Sequence, residues 1–342
     1  MKNSKIFRVA IVGLGRIGVT LEDDPLRIKP CSHTGAWKSL KSVDIVSGCD
    51  INPQKREFFK KRWKINNVYS DYNLMLEKEK PDILSVATWT DSHEKIVLTA
   101  AKYPSVKAIL CEKPIAVNTT QAKRMIETCK KENILLAINH ERRFEDRYRL
   151  CKNLIEKGFC GEIRTVIGHV LTNVPYKQKS FKVDRSSLMH DGTHLFDIIN
   201  YLFGFPVWVE GHILKKRKEV VTAIMRLENN VNVFVETGGL RNYFSFELDI
   251  QGTDGRIIIG NTIFKLYKKR PSKYYTGFYD LEEIKVPNYK KKNCFITEAE
   301  EIINWIKNKK DFPSTGEDGL IALKIIEKIS ISALLNGKRI YL

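Results

Sequence analysis

The chain has 342 residues, 43% hydrophobic and 29% charged. That suits a globular protein of one large or two ordinary domains, and no apolar run reaches the roughly 18 residues a membrane span needs. Seven scattered cysteines without a C-x-x-C pair argue against a disulfide framework or a zinc site. With a polar start at Met1–Lys5 in place of a secretory signal, they lead us to expect a reduced, cytoplasmic protein. The net charge of +18 raises the question of nucleic acid. Its clusters, Lys215–Lys218, Lys268–Arg270 and Lys290–Lys292, fall between or at the ends of apparent strands, where solvated turns belong. We therefore expect neither a nucleic-acid nor a membrane partner.

The first element is an apolar run, Val9-Ala10-Ile11-Val12, that reads as a buried strand, followed by Gly13-Leu14-Gly15-Arg16-Ile17-Gly18 opening a helix. In a G-x-G-x-x-G turn the first glycine makes the tight turn and the second admits a diphosphate to the backbone. The third lets helix and strand pack closely, and the helix N-terminus offers free N–H groups to the phosphates. Leu21–Pro30 interrupts as a loop, and the helical pattern resumes near His33. The second strand, Val43–Cys49, ends at Asp50, placed to accept hydrogen bonds from the adenosine ribose and to repel the 2′-phosphate of NADP. The other reading of Asp50 is a cap for the helix from Pro53.

Further strands at Val68-Tyr69, Asp82–Thr88, Lys107–Cys111 and Ile134–Asn139 alternate with helices at Pro53–Trp63, Asp71 onward, His93–Lys102 and Thr119–Asn133. This alternation predicts a doubly wound parallel sheet, whose ligands bind beyond the carboxyl ends of the strands. Gly13, Asp50, Thr88, Glu112-Lys113 and Asn139 all fall there. From about residue 140 the pattern changes. A helix at Arg147–Lys157 is followed by strand-like stretches at 164–171, 207–214, 219–227, 232–238, 244–252, 255–260 and 262–267. One helix, Leu188–Phe203, interrupts them, and two more close the chain at 298–307 and 319–336. The prediction is α/β: a Rossmann domain over 1–140 and an α+β domain with an open, largely antiparallel sheet over 141–342.

Three clusters carry candidate chemistry. Lys113 can hydrogen-bond a substrate hydroxyl, or it is a solvated loop lysine. In Met189–Asp197, His190, His194 and Asp197 share one face of a helix. Two histidines at i, i+4 can hold a metal, but the Glu of H-E-x-x-H is missing, so we expect none and read His194 as a proton-transfer group. Asn139–Phe144 is a charged turn that either lines a binding site or forms salt bridges.

Together these motifs resemble the Gfo/Idh/MocA oxidoreductases, the glucose–fructose oxidoreductase and inositol dehydrogenase superfamily, over essentially the whole chain. The matching stretches are Gly13–Gly18, Asp50, Thr88 with His93, Glu112-Lys113-Pro114, Asn139 with Arg143-Phe144, Ile155–Ile163, Gly192–Asp197 and Ser314–Leu320. The resemblance implies NAD as cofactor, held by Gly13, Gly15, Arg16, Ile17, Gly18, Asp50, Thr88, His93, Glu112 and Lys113. Arg16 leaves room for NADP. It implies Lys113, His194 and His190 as the catalytic residues and Asn139, Arg143, Asp191 and Asp197 as substrate contacts. The expected substrate is a sugar, a nucleotide-linked sugar or a cyclitol oxidised at a secondary hydroxyl, in a homo-oligomer built through the second domain's sheet. A cofactor-recycling hydrolase or eliminase and a non-catalytic dinucleotide sensor are the alternatives. The family's usual Asp four residues before the catalytic His is replaced by His190, with Asp191 beside it. On a regular helix one position turns a side chain by about 100°, so Asp191 does not take the missing acid's place there.

Overall fold

The computed structural model describes residues 5–172, 186–213, 220–239 and 241–342. They divide into two compact units, one running to Glu145 and including Lys292–Leu320, the other comprising Asp146–Lys291 and Ile321–Leu342. The basic run Lys215–Lys218 lies outside the described residues.

The first unit is a six-stranded parallel sheet. Its strands are β1 (Phe7–Val12), β2 (Val43–Cys49), β3 (Val68–Tyr69), β4 (Ile83–Val86), β5 (Ala108–Cys111) and β6 (Leu135–Ile138). The spatial order β3-β2-β1-β4-β5-β6 places the switch in strand order between β1 and β4, beside the glycine turn. β4, β5 and β6 are buried throughout, as a parallel sheet covered on both faces requires. The connecting helices are α1 (His33–Lys38), α2 (Pro53–Trp63), α3 (Tyr72–Glu79), α4 (His93–Ala100) and α5 (Thr119–Lys131). Side-chain caps set several of their starts: Ser32, Asn52, Asp71 and Asn118 each accept from a backbone N–H of the first turn.

The stretch after the glycine turn is interrupted as expected, and the helical pattern resumes at His33. A single helical turn forms, with Val19 N bonded to Gly15 O at 2.9 Å and Leu21 N to Arg16 O at 2.7 Å. It gives way to a 3-10 turn at Thr20–Asp23. The inserted loop then runs to α1, whose first amides return to the carbonyls left open: His33 N to Ile17 O and Thr34 N to Gly18 O, each 3.0 Å. Glu22 Oε2 closes the loop by accepting from Cys31 N (3.0 Å) and Ser32 Oγ (2.7 Å). Hydrogen bonds replace the covalent continuity of one helix.

The sequence reading groups 292–342 with the second domain, whereas the structure assigns Lys292–Leu320 to the first unit. Within it, α9 (Cys294–Asn308) sets Ala299, Ile302 and Ile303 into the same core as Phe7, Trp37, Phe144 and Phe312. The apolar stripe of α9 thus covers a core whose other buried residues, Phe312 apart, come from the first half of the chain, well over 100 positions earlier. Ser314–Thr315 joins the edge of β6: Ile138 N donates to Ser314 O (2.9 Å) and Ser314 Oγ donates to Ile138 O (2.7 Å). The helix α10 (Gly316–Leu334) begins there, with Asp318 accepting from Thr315 N and Oγ1 in a capping arrangement.

The second unit holds α6 (Asp146–Glu156), α7 (Ser187–His190), α8 (Gly192–Phe203) and a nine-stranded sheet. The strands are β7 (Ile163–Leu171), β8 (Pro206–Ile213), β9 (Val220–Leu227), β10 (Asn232–Gly238), β11 (Ser245–Gly252), β12 (Gly255–Gly260), β13 (Phe264–Pro271), β14 (Tyr279–Ile284) and β15 (Ile340–Tyr341). Their order is β14-β13-β12-β11-β7-β10-β9-β8-β15, and every pairing is antiparallel except β10 with β7. Residues such as Val166, Val233, Leu248 and Ile257 point inward in alternation with more exposed neighbours, which is why the strands were legible. Lys268-Lys269-Arg270 corrects one expectation. It lies within β13 and not in a turn, and Arg270 pairs with Glu282 of β14 at 3.4 Å.

Candidate active site

At the carboxyl end of β1, Gly13 adopts φ +93°, and a Cβ there would come within 2.5 Å of the Ala87 carbonyl oxygen. A Cβ on Gly18 would overlap the carbonyl oxygen of Gly13, whereas above Gly15 the nearest group is Lys55 Nζ at 3.7 Å. Two glycines therefore close the turn and the third leaves an open cradle beneath an ammonium group. Asp50, at the end of β2, is fixed to the same turn. Its Oδ2 accepts from Leu14 N and its Oδ1 from Asn52 N, both at 2.9 Å, and Lys55 Nζ lies 3.7 Å from Oδ2. The cap of α2 is Asn52, whose Oδ1 accepts from Gln54 N and Lys55 N. Asp50 is thus not the helix cap, and its carboxylate faces the glycine turn, where an adenosine ribose is held in this fold. The cradle, the carboxylate and the switch point together fit a dinucleotide.

The next two strands contribute an interior network. Glu112, at the end of β5, is buried. Its Oε1 accepts from His33 Nε2 at 2.9 Å and from Asn139 Nδ2 at 2.5 Å, and its Oε2 from Lys113 N at 3.2 Å. Burial alone would raise its pKa. The hydrogen bond and charge of His33, then the charge of Lys113 and the Asn139 amide, outweigh that and hold it at about 2. His33 Nδ1 is 2.6 Å from Ser85 Oγ, which also accepts from Trp37 Nε1 at 3.3 Å. His93 is fully enclosed. Its Nε2 lies 3.1 Å from Thr88 O, and its Nδ1 3.1 Å from Pro114 O and 3.3 Å from Ile115 O. Burial pushes its pKa below the usual imidazole range. The neutral ring has one N–H to give, so His93 hydrogen-bonds one of these loops and packs against the other.

Several residues expected at the ligand surface are therefore interior braces. Asn139 holds Glu112, and His93 sits between two loops. Arg143 is buried, donating to Pro313 O at 2.6 Å and pairing with Asp318 at 2.8 Å. Of the two readings of the charged turn, the salt bridge is the one observed for Arg143, and it ties β6 to the start of α10. His33 and Ser85 are in this network without having been singled out from the sequence. Their partners are 79 and 52 positions apart in the chain, and neither belongs to a local motif.

The remaining candidates lie in the second unit. The helix expected over Leu188–Phe203 is interrupted at Asp191, where α7 ends and α8 begins. His194 N bonds to Asp191 O at 3.2 Å, a three-residue spacing that tightens the joint. Asp191 Oδ1 sits 3.0 Å from His190 Nδ1, so the carboxylate expected to point away is paired with His190. His194 is half-buried on the first turn of α8, and Asp197, one turn further, is fully buried.

Comparison with known proteins agrees with this geometry. Residues 7–140 match the Gfo/Idh/MocA model described as an oxidoreductase family with an NAD-binding Rossmann fold, and residues 148–258 match the family's C-terminal domain. Myo-inositol 2-dehydrogenase of Thermotoga maritima is 23% identical over 333 residues, covering 92% of this chain and 93% of that protein. D-apiose dehydrogenase of Rhizobium rhizogenes is 26% identical over 239 residues, 65% of this chain and 68% of that one. Among solved structures, the WlbA dehydrogenase of Bordetella pertussis, in complex with NADH and UDP-GlcNAcA, superposes with a TM-score of 0.79. It has 20% identity and 99% coverage of both chains.

Proposed function

Because the chain belongs to the Gfo/Idh/MocA family of oxidoreductases with an NAD-binding Rossmann fold, we propose that it oxidises a secondary hydroxyl of a sugar, a nucleotide-linked sugar or a cyclitol. The observation that carries the cofactor half of this reading is Asp50, held by Leu14 N against the open glycine cradle. A carboxylate so fixed accepts from both ribose hydroxyls and repels a 2′-phosphate. The substrate half is supported by the relatives named for inositol and apiose and by the UDP-sugar in the WlbA complex.

NAD, when bound, supplies the acceptor for the hydride. This chain's residues handle the proton and the developing charge. Lys113 donates a hydrogen bond to the substrate oxygen and stabilises it as alkoxide character grows, and His194 accepts the hydroxyl proton. His190, with Asp191 holding its Nδ1 side, orients the substrate hydroxyl. Arg143 and Asp197 act from the interior by fixing the segments that carry these groups.

The outer face of the nine-stranded sheet exposes Ile167 at 44% and Phe234 at 42%, on the central strand β7 and its neighbour β10. Apolar side chains grouped there suit a second copy of this chain. Among the described residues no helix is long and apolar enough to cross a membrane.

The test is NADH formation with a panel of cyclitols, aldoses and UDP-sugars, in wild type and His194→Ala. The expected result is turnover with at least one of them, reduced by about 100-fold or more in His194→Ala, with NAD affinity retained. Loss of NAD binding in the variant would overturn the role given to His194. Product formed without NADH accumulation would overturn the simple dehydrogenase in favour of a cofactor-recycling reaction.

A further inference from the structure

We propose that His33 is a positioning residue for Lys113, acting through Glu112, and that it ties the lysine to the glycine turn. This rests on the reading of Lys113 as a group at the nicotinamide end of the site.

The connection runs through bonds already described. On its backbone side, His33 N donates to Ile17 O within the G-x-G-x-x-G turn. On its side-chain side, Nε2 donates to Glu112 Oε1. Glu112 is ionised and can only accept, so Nε2 carries a proton in this contact whatever the charge of the ring. Ser85 Oγ receives Trp37 Nε1–H, which leaves its own proton available to His33 Nδ1 and fixes the ring plane from the other side. Glu112 in turn receives the Lys113 amide. On the far side of Lys113, the Pro114 carbonyl lies against His93. Lys113 is thus set between two neighbours, each against a buried histidine.

A buried carboxylate is expensive unless it is paired. A leucine or isoleucine at position 112 would fill that interior space with no charge to satisfy. The ion is nonetheless present, and three donors converge on it, from α1, from the residue after β6 and from the backbone of the next residue. That is the arrangement expected where the orientation of the next residue matters. The network also joins two parts of the unit that a dinucleotide contacts separately, the diphosphate turn through Ile17 and the lysine through Glu112. Seating of the turn and placement of the lysine are mechanically one event.

The experiment is site-resolved lysine acetylation by acetic anhydride, read by mass spectrometry with and without saturating NADH, in wild type, His33→Leu and His33→Gln. NADH affinity is measured in parallel by fluorescence. In wild type, NADH should shield Lys113 from acetylation several-fold. In His33→Leu that shielding should largely vanish while NADH affinity and the shielding of Lys55 remain. His33→Gln, whose amide can again donate to Glu112, should restore it. Should His33→Leu fail to fold because Glu112 is left unpaired, the double variant His33→Leu/Glu112→Gln removes the stranded charge and should lose the shielding equally. Shielding of Lys113 unchanged in the folded variant would overturn the role of His33 while leaving that of Lys113 intact. Absence of shielding in wild type would instead overturn the placement of Lys113.

Discussion

Glu298 on α9 offers a quantitative test of how the first unit is assembled. It is 1% exposed, and its Oε1 has no hydrogen-bond partner. Burial drives its pKa well above the usual carboxylate value, and the negative charges of Glu112, Glu141 and Glu301 add to that. The folded state therefore holds Glu298 protonated, whereas the unfolded chain releases its proton above pH ~4.3. For a group raised in this way, stability is fully present below the unfolded pKa and is lost as pH climbs toward the folded one. The slope is about 1.4 kcal/mol per pH unit. Between pH 5 and pH 7 the wild type should lose stability through this residue as pH rises, with that slope as the ceiling. Glu298→Gln cannot ionise, so it should lack that component. Whatever constant offset the buried amide introduces, the stability gap between variant and wild type should move in the variant's favour over those two units. In a unit of this size each kcal/mol of that movement is about 2–4 °C in relative Tm. Thermal unfolding of both proteins at pH 5, 6 and 7 reads it directly. A gap that stays constant across the range would show that Glu298 is ionised or hydrated in the folded protein, and that α9 does not seal the face assigned to it.

Three further outcomes follow from the site. Gly18→Ala places a methyl group against the Gly13 carbonyl and should abolish NADH binding in a fluorescence titration; binding at wild-type affinity would contradict the geometry of the turn. Asp50→Ala removes the acceptor for Leu14 N and for the ribose, and hydrogen bonds to a charged group contribute about 1.5–3 kcal/mol. NADH affinity measured by calorimetry should fall by about 10–100-fold, with a smaller loss for NADPH. Ile167→Lys on the outer sheet face, the proposed self-association surface, should lower the mass seen in analytical ultracentrifugation to that of a monomer; a variant mass equal to that of the wild type would remove that face from consideration as the interface.

How much of this was legible in the sequence depends on distance along the chain. The glycine turn, Asp50 and Glu112-Lys113 could be read because each sits at the end of a strand whose apolar run is visible locally. The antiparallel strands were legible through their alternation, and β14, Tyr279–Ile284, was missed because all but its last residue are exposed and its burial does not alternate. His33 was invisible because nothing near it in the chain marks an interior histidine; its meaning depends on Glu112 and Ser85. The affiliation of α9 was missed for a related reason. Its amphipathic pattern shows that it covers an apolar face but not which sheet supplies that face. For His190 and Asp191 the reading assumed a regular helix, and the break at Asp191 changed which side chains meet.

The interrupted helix after Gly18 has a consequence for where this chain tolerates change. Since α1 is joined to the glycine turn by amide–carbonyl bonds, and Glu22 clasps Cys31 and Ser32 across the gap, the residues between need only connect two ends already held together. Leu26 and Ile28 at its crest are 93% and 83% exposed. Doubling such a loop adds only about 0.6 kcal/mol of closure entropy. The segment is a seam, a position where a reporter domain, an affinity tag or a protease site can be spliced beside the nucleotide site while the folded parts on either side keep their register.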